Sequence, residues 1–554
     1  MRPTFLHCSL AVLASLGTLA HAGTVIDNAN GYTLNAKNEL VQFTAMAIDD
    51  SGKIIAVGSA ADVAAKVPGS RRVDMQGRTV IPGLIDAHGH VFGLGEMMIR
   101  LDLSSSTSLD TALAAIAGYA KSNPQSAWLQ GRGWNQEVWK LGRFPTAAEL
   151  DKVVSDRPAW FERVDGHAGW ANSRAMELAG ITDKTPDPVG GKIVRDANGK
   201  ATGVLVDAAM DLVNAKVPRR TEAELRRTLD TSLDEIARMG LTSVHDAGIG
   251  VPEDKLYREY AQSGKLTARI YAMIGGVGGD FDALSKNGPL NSLGNDTYAL
   301  RSVKLYSDGA LGSRGAAMLA PYSDDRHTHG LLFNNDAQMN ALIAKAMKKG
   351  YQVNVHAIGD AGNHQVLGAL AGQLRKTNTG KLRHRIEHAQ VVTPADIARF
   401  KSIGIIPSMQ PTHATSDMNM AENRVGPDRI KGAYAWRTYL HQGSKVACGS
   451  DFPVESPNPF YGIHAAVTRQ DARGMPVGGW YPEQAMSLKE ALRCFTLDAA
   501  HAAHQENMLG SLEPGKWADF IVIDRDLFRT PESELYATSV LQTWVAGRPV
   551  YEKK

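Results

Sequence analysis

Six residues with metal-binding side chains close apolar, strand-like runs of this sequence. They are His88, His90, Lys304, His356, His388 and Asp451. His88 and His90 lie two positions apart, and because strand side chains alternate with a period of two, both rings face one side and can bind one ion. His356 and His388, taken singly, are typical of buried core histidines. Brought to one rim, the six residues would form a metal site.

Lys304 allows two interpretations. An ammonium group among bound cations is disfavoured by burial and by like-charge repulsion. Carboxylation by CO₂, which gives N6-carboxylysine, would turn the side chain into an anion that bridges two metal ions. In the alternative, Lys304 points outward and pairs with a neighbour such as Asp308. The residue type alone leaves both open.

Eight apolar runs separated by helical patterns must position these residues, which predicts an α/β fold with a (β/α)8 barrel of the TIM type. The runs cover residues 79–88, 241–248, 268–275, 300–309, 351–360, 384–390, 403–411 and 444–453. Catalytic groups of such a barrel lie at the carboxyl ends of its strands, and the six residues occur there. The barrel would therefore bring them to one rim.

Two further units accompany the predicted barrel, which takes residues 79–104 plus 236–507. The first two barrel runs are too far apart for one crossover helix, so residues 105–235 are predicted to form an inserted α+β subdomain that covers the barrel mouth. Both ends of the chain carry short β-rich runs. Residues 23–78 plus 508–554 are therefore predicted to form one composite β-sandwich.

The first 22 residues have the layout of a secretory signal peptide. Arg2 precedes an apolar run at residues 10–19, and an A-x-A site ends at Ala22. Cleavage after Ala22 predicts a periplasmic or secreted protein. The run is too short to span a bilayer, and no other segment reaches that length. Two cysteines remain beyond it, Cys448 and Cys494, and the sequence does not settle whether they pair.

The composition excludes several classes of protein. The 554 residues include 60 Lys and Arg against 58 Asp and Glu, a net charge of +2, which argues against a nucleic-acid binder that neutralises phosphates. A hydrophobic fraction of 43% excludes wholesale disorder, and three cysteines exclude a disulfide scaffold. The expected partner is a small molecule. The oligomeric state is open, a homodimer included.

Several separated motifs resemble those of the amidohydrolase superfamily. They are VIPGLIDAHGH, KLYSDGALGSRGA, HAIGD, RIEHAQ and GSDFPV, which follow one another in this order. More narrowly, GRGWNQ and RVDGHAGWANSRAMELAG resemble the branch of the N-substituted formamide deformylases, amidohydrolase family 3. The resemblance covers nearly the whole chain after the signal peptide. It implies the same barrel with a composite sandwich.

The resemblance also implies a role for each of the six residues. One divalent ion would be bound by His88 and His90, and a second by His356 and His388. Carboxylated Lys304 would bridge the two ions. Asp451 would be both a metal ligand and the general base that later returns the proton as an acid. The expected cofactor is a divalent metal, zinc first, with one or two ions per chain.

The implied reaction is hydrolysis of a non-peptide C–N bond by metal-activated water, with a linear amide or an N-substituted formamide as substrate. An ester, lactone or cyclic-amide hydrolase on the same site is an alternative, because the same chemistry attacks any of these carbonyl groups. A different class of function is a non-catalytic binding or regulatory protein whose barrel has lost its catalytic activity. That class would lack a ligand or Asp451, and this sequence lacks neither.

Four weaker candidates complete the predicted site. His167 is predicted to stabilise a developing oxyanion, with a structural histidine as the alternative. Trp134, Arg314 and His413 are predicted to bind substrate. The alternatives are packing for the tryptophan and, for the arginine, a rim charge paired with an acid. Asp86, two residues before His88, is a candidate partner of the metal ligands.

Overall fold

The structure is a computed structural model that describes residues 22–554. Residues 1–21, and with them nearly all of the predicted signal peptide, lie outside the described residues. The chain first forms seven strands and one helix: β1 (Ala22–Asp27), β2 (Asn30–Leu34), β3 (Leu40–Phe43), β4 (Ala45–Asp49), β5 (Ile54–Gly58), α1 (Ala60–Lys66), β6 (Arg71–Asp74) and β7 (Thr79–Pro82).

One strand and one helix follow before the chain enters an inserted subdomain. They are β8 (Leu84–Gly89) and α2 (Val91–Ile99). The subdomain consists of β9 (Leu101–Asp102), α3 (Leu109–Ser122), β10 (Leu129–Trp134), α4 (Ala147–Asp151), β11 (Ala159–Arg163), β12 (Ala168–Ala171), α5 (Ser173–Ala179), β13 (Gly191–Arg195), β14 (Ala201–Asp207) and α6 (Asp211–Asn214). Its strands form one sheet in the order β13-β14-β12-β11-β10-β9.

The long middle part alternates helices and strands. It contains α7 (Glu222–Arg238), β15 (Leu241–Ile249), α8 (Val251–Ser263), β16 (Arg269–Gly275), α9 (Gly279–Leu284), β17 (Leu290–Leu293), β18 (Tyr298–Tyr306), α10 (Asp336–Lys348), β19 (Gln352–Ala357), α11 (Asp360–Lys376), β20 (Arg385–His388), α12 (Pro394–Ile403), β21 (Ile406–Met409), α13 (Pro411–Asp417), α14 (Ala421–Arg429), α15 (Trp436–His441), β22 (Ala447–Cys448), α16 (Pro459–Thr468), α17 (Leu488–Arg493) and α18 (Ala499–Ala502). The chain ends with β23 (Phe520–Ile523), β24 (Val540–Val545) and β25 (Arg548–Glu552).

Eight parallel strands form the barrel, in the order β22-β21-β20-β19-β18-β16-β15-β8, and β17 pairs antiparallel with β18. The ring closes between its first and last strands through Asp86 of β8. Its carboxylate accepts hydrogen bonds from the backbone N–H of Ser450, at 3.1 Å, and from the Ser450 hydroxyl, at 2.6 Å. Each of the eight predicted runs overlaps one of these strands, so the predicted (β/α)8 barrel is confirmed.

Both ends of the chain build one sandwich of two sheets. One sheet has the order β5-β4-β1-β6, and the other has the order β25-β24-β23-β7-β2-β3. Their shared core joins Ile26, Phe43 and Met46 from the start of the chain to Phe520 and Trp544 from its end. Both sheets bury one face in this core, which is the composite sandwich that the sequence predicts.

The predicted first barrel run, residues 79–88, forms two strands that belong to different sheets. β7 pairs with β23 and β2 in the sandwich, whereas β8 pairs with β15 in the barrel. The break falls at Gly83, where a Cβ atom would lie 2.1 Å from Oγ1 of Thr242. The sandwich therefore extends to residue 82 in place of the predicted 78.

The helix α7 belongs to the barrel, whereas the sequence predicts that the insertion extends to residue 235. Its N-terminus is fixed by a capping box, in which Thr221 and Glu224 bond to each other's backbone N–H. Its apolar stripe, Leu225, Leu229 and Leu233, is buried in the barrel core. This spacing of four places the three side chains on one helix face.

Candidate metal centre

Three residues at the carboxyl ends of barrel strands can hold a metal ion. His88 is the penultimate residue of β8, His388 ends β20, and Asp451 follows β22. One ligand atom from each lies within 4.8 Å of the others, and all three residues are buried. His388 and Asp451 have positive φ angles of 72° and 62°. Such strained backbone in residues other than glycine clusters at functional sites.

The other three predicted ligands lie beside these. Nε2 of His90 is 3.0 Å from Oδ1 of Asp451, and the ring of His356 is centred 4.5 Å from that of His388. Nζ of Lys304 is 2.8 Å from Nε2 of His88. The structure thus brings all six predicted ligands together.

Lys304 points into the barrel, which corrects the alternative that it pairs with Asp308. The lysine is 1% exposed and lies next to His88. Asp308 accepts hydrogen bonds from the backbone N–H groups of Ile358, Gly359 and Ala317. It therefore orders the loop after His356 and does not neutralise Lys304.

The protonation states favour cation binding. Burial, followed by the positive charge of Lys304, lowers the pKa of His88 to about 4. Burial also holds the pKa of His388 well below its usual value. Burial alone would raise the pKa of Asp451, but its interactions with His88 and His388 and a hydrogen bond from His90 hold it well below its usual value. Neutral imidazoles and an ionised carboxylate are the forms that bind zinc and similar ions.

The donor set therefore fits a divalent ion at His88, His388 and Asp451. His90, His356 and Lys304 lie close enough to complete this site or to hold a second ion. Burial lowers the pKa of Lys304 to about 8, so a neutral amine is accessible near neutral pH. Only the neutral amine can react with CO₂ to form a carbamate.

Two residues that the sequence analysis missed orient the histidines. Nδ1–H of His88 donates to Oε2 of Glu387 at 2.5 Å, and Nδ1–H of His388 donates to Oε1 of Gln410 at 2.8 Å. Arg385, which is also buried, pairs with Glu387 at 2.7 Å. Bonds of this kind fix the ring and leave Nε2 for the metal. The available signal was the pair of charges in RIEH, two positions apart in a buried strand.

His167 reaches the same centre from the inserted subdomain. It lies between β11 and β12, and its ring is centred 5.1 Å from that of His356. Nδ1–H donates to Oδ1 of Asp207, at 2.7 Å. Burial lowers the pKa of His167, but the hydrogen bond and the charge of Asp207 outweigh burial and raise it. The insertion therefore places the imidazole of His167 next to His356, and Asp207 orients it.

The metal centre opens into a cavity of about 1,020 Å³ between the barrel and the insertion. His90, Lys304, His356, His388 and Asp451 line it together with His167 and His413. His413 packs its ring against that of His388, at 5.9 Å between centroids, and its Nε2 lies 3.7 Å from Oδ2 of Asp451. The structure therefore places His413 on the cavity wall beside His388 and Asp451, and its role in substrate binding stays a prediction.

Two other predicted substrate-binding residues lie away from this cavity, which corrects their assignment. Trp134 is fully buried in the core of the insertion, and its indole N–H donates to the backbone carbonyl of Phe161. Arg314 pairs through two nitrogens with Asp324. Trp134 therefore has a packing role, and Arg314 is a rim charge paired with an acid. The sequence alone could not distinguish these roles from substrate binding, because the contacting residues lie elsewhere in the chain.

A barrel with this ligand set at the carboxyl ends of its strands defines a metal-dependent hydrolase. The chain belongs to the amidohydrolase family, whose model matches residues 71–551. It is 34% identical to YtcJ of Bacillus subtilis, assigned to the amidohydrolases, over 88% of this chain and 91% of that protein. It is 30% identical to the N-substituted formamide deformylase of Arthrobacter pascens, over 96% and 98% of the two chains.

A solved structure has the same fold. It is an uncharacterized metal-dependent hydrolase from Pyrococcus horikoshii OT3, with a TM-score of 0.74 and 26% sequence identity, and the match covers 92% of this chain and 99% of that one. The predicted family is thereby confirmed. In the part of the chain that the structure describes, no helix has both the length and the apolar character needed to cross a bilayer.

Proposed function

We propose that this protein hydrolyses the C–N bond of a linear amide, with N-substituted formamides as the first substrate class. The observation that carries the proposal is the buried Asp451 carboxylate beside His88 and His388 on the wall of a large cavity. The relative from Arthrobacter pascens, named an N-substituted formamide deformylase, matches this chain over nearly its full length. The substrate class is taken from that relative's name.

Each residue has a definite task in this reaction. A divalent ion held by His88, His388 and Asp451 would supply an activated water and would polarise the substrate carbonyl group. Asp451 is ionised, so it accepts the proton of the attacking water and returns it to the leaving nitrogen. His167, oriented by Asp207, donates a hydrogen bond to the carbonyl oxygen as negative charge develops there. Amides need this proton return more than esters do, because an amide anion is a poor leaving group.

We also propose zinc as the metal and N6-carboxylysine at Lys304 as a bridging ligand. Nζ of Lys304 is buried and lies 2.8 Å from Nε2 of His88. As a carbamate, it would contribute negative charge between two cations. Elemental analysis of protein purified without chelator tests this directly. About two zinc ions per chain are expected, whereas one ion would remove the bridging role of Lys304.

The variant Asp451→Asn tests the proton-transfer role. It keeps the shape of the side chain but cannot accept a proton, so kcat on N-substituted formamides should fall by at least about 100-fold. Circular dichroism and metal content identify a variant that fails to fold or to load. Wild-type activity in a variant that has bound its metal would disprove the proton-transfer role of Asp451. In the same assay, ester and lactone substrates show which class of bond the wild-type protein cleaves.

The variant Lys304→Ala tests the carbamate. It should bind less metal and lose activity, and a small carboxylate such as propionate should restore part of both by taking the carbamate's place. Full metal occupancy with full activity would disprove the bridge.

We further propose that the protein is exported to the periplasm or beyond. Cys448 and Cys494 form a disulfide, and disulfides persist mainly in oxidising compartments outside the cytosol. Cleavage after Ala22 would leave Gly23 to Asp27 of β1 in place. N-terminal sequencing of protein from the periplasmic fraction should begin at Gly23. A cytoplasmic protein that begins at Met1 would overturn the proposal.

A further inference from the structure

The charge of the cavity differs from that of the chain. The residues that line it include eleven carboxylates and four lysine or arginine side chains, a formal charge of −7, whereas the whole chain carries +2. Two bound divalent ions would reduce this excess without cancelling it. A cavity lined by one sign of charge concentrates molecules of the opposite sign.

Within residues 22–554, three of the eleven carboxylates, Glu96, Glu137 and Asp165, pair with an arginine, and Asp417 and Glu455 are among the other eight. In residues 22–554, neither Asp417 nor Glu455 pairs with a lysine or an arginine. The hydrogen bonds of Asp417 come instead from neutral groups, the hydroxyl of Tyr434 at 2.8 Å and the side-chain amide of Gln390 at 3.0 Å. By contrast, Asp165 in the same cavity pairs with Arg163.

Both carboxylates line the same cavity as Asp451, and Glu455 feels the charges of Asp417 and Asp451. The pKa of Glu455 is raised to about 7, mainly by burial and also by the charges of Asp417 and Asp451, while His413 and a hydrogen bond with Ser416 lower it. Burial likewise raises the pKa of Asp417. A cation bound beside them would relieve this repulsion and favour the ionised carboxylates.

A third carboxylate that lines the cavity, that of Asp207, has one oxygen atom without a hydrogen-bond partner within residues 22–554. Asp207 uses Oδ1 to orient His167, while its Oδ2 is buried and has no hydrogen-bond partner within residues 22–554. The side chain is only 2% exposed. A buried acceptor without a partner is unfavourable unless a ligand or water donates to it.

The same cavity also presents apolar side chains to solvent. Val189 is 90% exposed, Val138 is 46% exposed and Tyr306 is 38% exposed, and all three line the cavity. These surfaces match the hydrocarbon part of a ligand. Carboxylates without basic partners therefore share one cavity with exposed apolar side chains.

We propose that the substrate is a cationic amide: an amide or formamide that carries an ammonium group separated from the scissile bond by a short hydrocarbon chain. Glu455 and Asp417 bind the ammonium group. An anionic substrate, such as an N-acylated amino acid, is repelled. This inference rests on the proposed function, since it assumes that the cavity binds the molecule to be hydrolysed.

Three matched compounds test the inference. N-(4-aminobutyl)formamide, N-pentylformamide and 5-formamidopentanoate share a formamide and a four-methylene chain, and they end in an ammonium, a methyl and a carboxylate group. Their Kd values are measured by calorimetry on zinc-loaded Asp451→Asn protein, which keeps them intact. The ammonium compound should bind at least about tenfold more tightly than the methyl compound, and the carboxylate compound at least about tenfold more weakly. Higher salt should reduce both differences.

Glu455→Gln, made in the same background, should reduce the tenfold preference for ammonium over methyl to about threefold or less. Asp428→Asn is the matched control, because Asp428 is an exposed acid on α14 and does not line the cavity. Equal Kd values for the three compounds, or tightest binding of the carboxylate compound, would overturn the inference. If the expected order appears but wild-type protein hydrolyses none of the three, the proposed function fails while the cation site stands.

Discussion

At the scale of single residues, the metal centre depends on one buried carboxylate that has two partners. Glu387 accepts a hydrogen bond from His88 and pairs with Arg385, and all three residues are fully buried. The charge of Arg385 and the hydrogen bond from His88 outweigh burial and lower the pKa of Glu387 well below its usual value. Glu387 therefore orients the candidate metal ligand His88 and neutralises the buried guanidinium group of Arg385.

Glu387→Gln should weaken both functions. Metal affinity should fall by about 10- to 100-fold, since the amide orients His88 less strongly. The free energy of unfolding should fall by about 3–5 kcal/mol, because Arg385 loses its buried partner. Competition with a zinc-binding dye and denaturant unfolding measure the two effects. Glu177→Gln is the matched control, because its side chain is 66% exposed. Unchanged zinc affinity would disprove the orienting role.

Carboxylation of Lys304 should have a characteristic dependence on pH. Burial lowers the pKa of the amine to about 8, so the neutral fraction rises from about one tenth at pH 7 to about nine tenths at pH 9. At constant dissolved ¹³CO₂, the initial rate of carbamate labelling of metal-free protein should rise about tenfold over this range. Carbon NMR measures it, with Lys304→Ala as the blank. A hundredfold rise would indicate a lysine with an ordinary pKa.

Sequence patterns predict the metal-binding residues but not the residues that orient them. His88 and His90 close an apolar run at a spacing of two, so their common direction follows from strand geometry. Glu387 has only the charge pair of RIEH as a signal and Gln410 has none, and each is recognised as an orienting residue by its distance to a histidine on another strand. The prediction that Trp134 binds substrate is wrong for the same reason, because nothing in GRGWNQ indicates that its indole is buried within the insertion.

At the scale of elements, the insertion supplies a residue that the barrel cannot. His167 lies between β11 and β12, and Asp207 at the end of β14 orients it over His356. Asp207→Asn removes the charge that holds His167 protonated, so kcat should fall at least about tenfold. Metal content should not change, because Asp207 lies outside the ligand set.

Two measurements separate this positioning role from a general loss of structure. The pH profile of kcat should lose the limb that His167 contributes, since its pKa falls without Asp207. Asp187→Asn serves as the matched control, because Asp187 is an acid of the same insertion that pairs with Arg195. Equal effects of the two substitutions would contradict the role of Asp207.

The boundaries of elements were harder to predict than their existence. The run TVIPGLIDAH is apolar throughout, so no change of pattern marks the point where the chain leaves the sandwich for the barrel. Only the close approach of Thr242 makes Gly83 necessary there. The apolar stripe of α7 indicates a helix with one buried face, but it does not say whether the insertion or the barrel covers that face.

At the scale of the whole molecule, one disulfide ties the last barrel strand to a following helix. Cys448 lies in β22, and Cys494 follows α17, 46 residues further along the chain. Both cysteines are buried in the barrel core. β22 is only two residues long, and Asp451 follows it three positions after Cys448. The cross-link therefore restrains the segment that carries Asp451, the proposed general base.

The double variant Cys448→Ala, Cys494→Ala should be less stable than the oxidised protein by about 2–4 kcal/mol, because the unfolded chain regains the freedom of a long loop. Denaturant unfolding of both proteins, with and without reductant, measures the difference. Reductant should destabilise the wild type once it unfolds and leave the variant unchanged. Equal stability of the two proteins in the absence of reductant would mean that the cross-link does not stabilise the fold.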